Sequence, residues 1–177
     1  GATTFCAGGS VDLTANAGTS YLWSNGAQTQ TITVTTSGSY SVTVTNGSGC
    51  STTSSAEAVT VNPLPTVAAI TGSPDVCVGS TTVLASSTTG GVWSTSDATV
   101  ADVSASGVVT GASAGSATIT YTVTDGNGCT NSTSASVTVN ATPTATVTAS
   151  GATTFCAGGT VDLTANAGTS YLWSNGA

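Results

Sequence analysis

Lysine, arginine and histidine are all absent from the 177 residues, and seven carboxylates leave a net charge of -7. Without an imidazole no serine or cysteine has a conventional base, without lysine no Schiff base forms, and without arginine there is no clamp for a phosphate or carboxylate. The chain is therefore expected to be no enzyme, with no catalytic residue and no cofactor. A chain without cations has nothing to neutralise a nucleic-acid backbone or to hold an anionic membrane surface, so neither is an expected partner. Apolar runs also stay well short of the roughly 20 residues that a membrane helix needs. Charged residues make up only 4%, yet hydrophobic residues reach 38%, too many for a disordered chain of that polarity.

What is present is alternation. Segments such as "TITVTT", "YSVTVTN", "ATITYTVT" and "SVTVN" change character at every residue, the period of a strand with one buried face. Ile32 and Val34, then Tyr40, Val42 and Val44, then Ile119, Tyr121 and Val123 fall on one side. Thr33, Thr43, Thr120 and Thr122 fall on the other. A β-branched hydroxyl suits the wet side of a sheet without carrying charge. No stretch has helical periodicity, and Gly, Asn and Ser clusters interrupt the strands every 6 to 12 residues. The chain reads as all-β, without any helix longer than about two turns.

Residues 1–27 return at 151–177 with one difference, Ser10 against Thr160. This is a tandem array with a period of 150 residues, and the 177 residues are expected to be a window on a longer chain. A weaker repeat lies inside the period. "TNGSGC" (45–50) parallels "TDGNGC" (124–129), "FCAGGSVDLTA" (5–15) parallels "VCVGSTTVLAS" (76–86), and Trp23-Ser24 parallels Trp93-Ser94. Prolines mark the joints at "NPLPT" (62–66) and "NATPT" (140–144), stiffening the links between modules. The expected units are a module at 1–64 lacking its first strand, a complete module at 67–142, and the first half of another at 145–177. Because residues 151–177 copy residues 1–27, the two stretches are expected to adopt the same structure.

Five cysteines fit this scheme. In each module one cysteine precedes the second strand and one follows the Asn/Asp-Gly turn, an arrangement that predicts both at the same pole of a sandwich. The expected disulfides are Cys6–Cys50 and Cys77–Cys129, each closing a loop worth about 4 kcal/mol in the chain-entropy model. Cys156 copies Cys6, and its partner is expected outside the chain. With no CxxC and no histidine, a metal centre is not predicted.

Residues 92–121, "VWSTSDATVADVSASGVVTGASAGSATITY", resemble the bacterial immunoglobulin-like group 2 module. The likeness lies in Trp93, Val100 to Val103, Gly107 to Gly111 and Ala114 to Ile119. Residues 21–50 resemble polycystic-kidney-disease-type repeats, with "WSNGA" where many relatives carry an acidic "WDFGDG"-like turn, so no metal role carries over. These resemblances imply immunoglobulin-like β-sandwiches, two per 150-residue repeat, in a giant secreted protein such as the gliding adhesins that Bacteroidetes export by the type IX system.

Asp97, Asp102 and Asp125 share one module, but "DGNG" (125–128) has a single carboxylate and reads as a tight turn rather than a calcium loop. Trp23, Trp93 and Trp173 could stack on sugars, yet each occupies a position where such folds bury a core aromatic. Trp23, Tyr40, Val42, Leu84, Trp93, Ile119 and Tyr121 are the expected core. The functional expectation is a structural shaft repeat of an extracellular, cell-surface adhesin or filament whose partners are neighbouring copies of the same repeat. The alternative is a repeated glycan- or surface-binding module; in either case a ligand at a tip outside this sequence remains open.

Overall fold

The computed structural model describes residues 1–176. Among them there are 18 strands and no helix, and the Ala- and Ser-rich stretch 97–115 holds two of the strands. The first unit contains β1 (Thr4–Cys6), β2 (Val11–Thr14), β3 (Ser20–Trp23), β4 (Thr31–Val34), β5 (Gly38–Tyr40), β6 (Val42–Thr45), β7 (Ser51–Thr53) and β8 (Glu57–Asn62). β2 pairs antiparallel with β4. β3 pairs with β6, and β6 with β7.

β5–β6 and β7–β8 form a single hairpin interrupted once. Tyr40 faces Glu57 and Thr43 faces Thr53, so the returning strand carries one extra residue, a bulge. Ser54 fills the break: its N–H donates to the Val42 carbonyl (2.9 Å) while its Oγ accepts the Val42 N–H (3.1 Å). β1 lies parallel to the end of β8, with Cys6 beside Asn62.

The second unit repeats the plan in fuller form with β9 (Thr71–Gly72), β10 (Asp75–Cys77), β11 (Thr81–Ala85), β12 (Val92–Thr95), β13 (Ala101–Val103), β14 (Val108–Gly111), β15 (Gly115–Thr124) and β16 (Thr130–Asn140). It is a sandwich of two four-stranded sheets, β10-β16-β15-β12 and β13-β14-β11-β9. Alternation in β15 does what the sequence predicts: Ala117, Ile119, Tyr121 and Val123 are buried while Ser116 and Thr118 face water. Ala117 and Ile119 share one core with Leu84 and Val109 from the facing sheet and with Val137 and Val139 from the neighbouring strand β16. Each such aliphatic side chain contributes roughly 1.5–3 kcal/mol on burial.

The first unit has its own core, built on Val11, Trp23, Ile32, Val34, Val42 and Val59, with Tyr40 packed against it. Of the seven residues expected inside, Trp23, Val42, Leu84, Ile119 and Tyr121 are buried, and Tyr40 and Trp93 are partly so.

The copied stretch behaves differently at its two locations. In residues 1–27 the strands β1, β2 and β3 are held by β8, β4 and β6. In 151–176 only β18 (Leu163–Ala165) forms, and it pairs with β17 (Val147–Ala149). The expectation of matching structures is thus corrected. A strand exists only with a neighbour to bond, and the equivalents of β4, β6 and β8 are not in this sequence. Phe155, Leu163, Tyr171 and Leu172 are accordingly exposed.

Candidate functional site at the module junction

Of the residues that the sequence singles out, Cys6 and Cys129 come together where the two units meet. In "TDGNGC" the Asp125 Oδ1 accepts the N–H groups of Asn127 and Cys129, both at 2.9 Å. Gly128, at φ 80°, closes the turn in a conformation natural to glycine. In "TNGSGC" the Asn46 Oδ1 accepts those of Ser48 and Cys50, both at 3.0 Å. These are hairpin turns, and they hold Cys50 and Cys129 in equivalent places.

Cys6 and Cys77 are equivalent as well. β1 sets Cys6 beside Asn62 as β10 sets Cys77 beside Asn140. The following residues bond alike, Ala7 to the Asn62 carbonyl (2.8 Å) and Val78 to the Asn140 carbonyl (2.9 Å).

The disulfide joins Cys6 to Cys129, with the Cα atoms 5.6 Å apart. Cys50, Cys77 and Cys156 are exposed thiols. This corrects the expected pairs Cys6–Cys50 and Cys77–Cys129, and the reason is distance. Cys129 immediately precedes β16 and Cys77 lies beside its last residue, so the 11 residues of β16 separate them. At a rise of about 3.3 Å per residue that is roughly 35 Å, whereas a disulfide tolerates about 7 Å between Cα atoms. Cys50 and Cys6 are divided in the same way by β7 and β8. The two cysteines of a module therefore occupy opposite poles, and the bond unites the far pole of the first unit with the near pole of the second. Beside it the Asn131 Nδ2 donates to the Pro65 carbonyl in the joint (2.9 Å).

The other candidates have local duties. Asp97 Oδ1 accepts the hydroxyl and the N–H of Thr99; the hydroxyl bond foremost holds its carboxyl below the usual value. Asp102 accepts the N–H of Val103. No cluster of three or more potential metal ligands occurs among the described residues. Trp23 is buried with its Nε1 on the Thr29 carbonyl (2.8 Å). Trp93 packs on Tyr121, ring centroids 4.6 Å apart, and the Tyr121 hydroxyl ties down the loop through Gly91 and Thr88.

One concavity was not foreseen. A groove of about 870 Å³ opens in the first unit, lined by Leu13, Thr14, Ala15, Asn16, Trp23 and Cys50 among others. Leu13, Thr14 and Ala15 are the copies of Leu163, Thr164 and Ala165, which carry β17. Asn166, the copy of Asn16, grips the segment leading into β17: its Oδ1 accepts the Thr146 N–H (2.8 Å) and its Nδ2 donates to the Thr144 carbonyl (2.9 Å). The second unit is closed likewise, by β9 on β11.

These features define a pair of covalently joined all-β modules. Residues 55–134 match the family model of the bacterial Ig-like domain (group 2), from the end of the first unit into β16. The fold is accordingly an immunoglobulin-like β-sandwich. No curated protein matches the chain. Among solved structures, similarity is found to a Bacteroides ovatus SGBP-B of the mixed-linkage glucan utilization locus, in complex with a mixed-linkage heptasaccharide. It shows 17% identity and a TM-score of 0.26 over 77% of this chain and 42% of that one. Similarity is also found to domains 4–9 of the surface layer protein SbsC, with 19% identity and a TM-score of 0.26 over 93% of this chain and 29% of that one. The chain thus spans less than half of either protein.

Proposed function

We propose that the chain is a stretch of a non-catalytic shaft, a tandem repeat that gives reach and stiffness to an extracellular bacterial surface protein or filament. The observation that carries this reading is the Cys6–Cys129 bond: a module that acted alone would gain most from closing on itself, whereas this bond fixes one module against the next. Repetition at near identity over residues 1–27 and 151–177, proline-bearing joints and an oxidised cystine, which belongs to oxidising compartments, support it. The absence of lysine and arginine leaves no trypsin site, an advantage to an exposed fibre. In the finer form of the proposal the parent protein is a Bacteroidetes gliding-type adhesin exported by the type IX system, and its neighbours are further copies of the repeat.

The glycan-binding alternative would use an aromatic platform, but Trp23 is buried and Trp93 is engaged by Tyr121. Electron microscopy of the natural protein tests the shaft. Modules of about 35–40 Å, from strands rising about 3.3 Å per residue, give rods lengthening by roughly 80 Å per 150-residue period. Globular particles with no axial repeat would reject it.

A further inference from the structure

Three thiols remain after Cys6–Cys129 forms, and each occupies a position that the formed bond has already shown to be productive. Cys77 stands at the far pole of the second unit in the same register as Cys6 at the far pole of the first. Cys50 closes the same turn as Cys129, with the same side-chain acceptor two bonds deep. Both are exposed, and the spacing agrees. Cys6 and Cys129 are 123 residues apart. With a period of 150 residues, the copy of Cys50 in the following repeat falls 123 residues beyond Cys77, and the copy of Cys77 in the preceding repeat falls 123 residues before Cys50. Cys156, the copy of Cys6, stands 123 residues before the next copy of Cys129.

The geometry points to a continuous disulfide ladder: Cys77 bonds the turn cysteine of the module that follows it, and Cys50 bonds the far-pole cysteine of the module that precedes it. Every junction of the array is then stapled as the first one is, and no cysteine is left reduced. The partner is a further copy of this repeat. Each bond forms by transfer of two electrons and two protons from a thiol pair to a disulfide donor, which leaves as two thiols. The inference deepens the shaft reading and rests on it for the presence of neighbouring copies.

The test uses the chain extended by one period, residues 1–177 followed by residues 28–177, oxidised with glutathione disulfide and digested without reduction by proteases that cut at aromatic and acidic residues. The turn peptides differ, Asn-Gly-Ser-Gly-Cys against Asp-Gly-Asn-Gly-Cys, so mass spectrometry separates the pairings. The expected products join the Cys77 peptide to the Asn-Gly-Ser-Gly-Cys peptide and the Cys6 peptide to the Asp-Gly-Asn-Gly-Cys peptide, in a protein that stays monomeric on a non-reducing gel. With the second-period copy of Cys77, which has no following turn, changed to Ser throughout so that the Cys77 peptide is unique, Cys50→Ser in the first period should leave the Cys77 bond intact, and the same change in the second period should free Cys77 for alkylation. Cys6–Cys50 or Cys77–Cys129 products, a Cys77 that stays alkylatable, or absence of the Cys6–Cys129 product would each overturn the ladder. Micrographs of the natural protein judge the shaft separately, since rods can form without the second set of bonds.

Discussion

Asn46 and Asp125 do one job with two different charges. Each presents a side-chain oxygen to two turn amides, those two and four residues further on, and so places the cysteine that follows. Asp125→Ala removes the acceptor for both amides. At about 0.5–1.5 kcal/mol per hydrogen bond the loss should be about 1–3 kcal/mol, read as a lower urea midpoint. Asp125→Asn should cost little, since Asn46 already serves in that place. Asp97 offers a second check. Its carboxyl is held low chiefly by the Thr99 hydroxyl, so the ionised form favours the folded state above the ordinary carboxylate range, and that contribution fades as pH falls through the lowered value. Thr99→Val should move the carboxyl titration upward in an NMR pH series; an unmoved curve would show that the hydroxyl is not the cause.

At the scale of elements, the contrast between β17–β18 and the groove beside β2 is the most informative. The same sequence, Leu-Thr-Ala-Asn, carries a neighbouring strand in one copy and lines an open groove in the other. Placing the sequence of residues 143–150 ahead of Gly1, as it stands ahead of Gly151, should seat a strand there. The amide of Asn16 should then exchange more slowly, as the Asn166 amide bonds the Thr146 carbonyl (3.1 Å), and the first unit should melt several degrees higher. Unchanged exchange at Asn16 would remove this account of the groove. In the core of the second unit, Ile119→Ala is expected to cost about 2–5 kcal/mol, because Ile119 is wholly enclosed; calorimetry measures it.

Period-two alternation announced β15 and the faces of β4 and β6, and Asp-Gly and Asn-Gly announced the turns, because both signals are local. The pairing of the cysteines was not legible for a matching reason. Alternation tells which face a side chain takes, but not which strand lies beside it or in which direction. Cys6 owes its pole to the parallel pairing of β1 with the end of β8, a contact between residues far apart in the chain. The bulge at Ser54 escaped notice similarly, since one extra residue in a serine-rich stretch leaves no mark on composition.

For the whole molecule, the cystine decides how length responds to pulling. Stretching between the ends with the bond intact, then with a reductant, should release an additional 123 residues of chain, about 400 Å at roughly 3.3–3.6 Å each; Cys6→Ser should release the same length without reductant. Tension entering at residue 1 crosses from Cys6 through the sulfurs to Cys129 and leaves along β16 toward Pro143 in the next joint. Residues 7–128 hang beside that path as a closed loop. Most of both cores can melt and refold inside it while the distance between the ends scarcely changes, so this pair of modules behaves less as a spring than as a tether of fixed contour length.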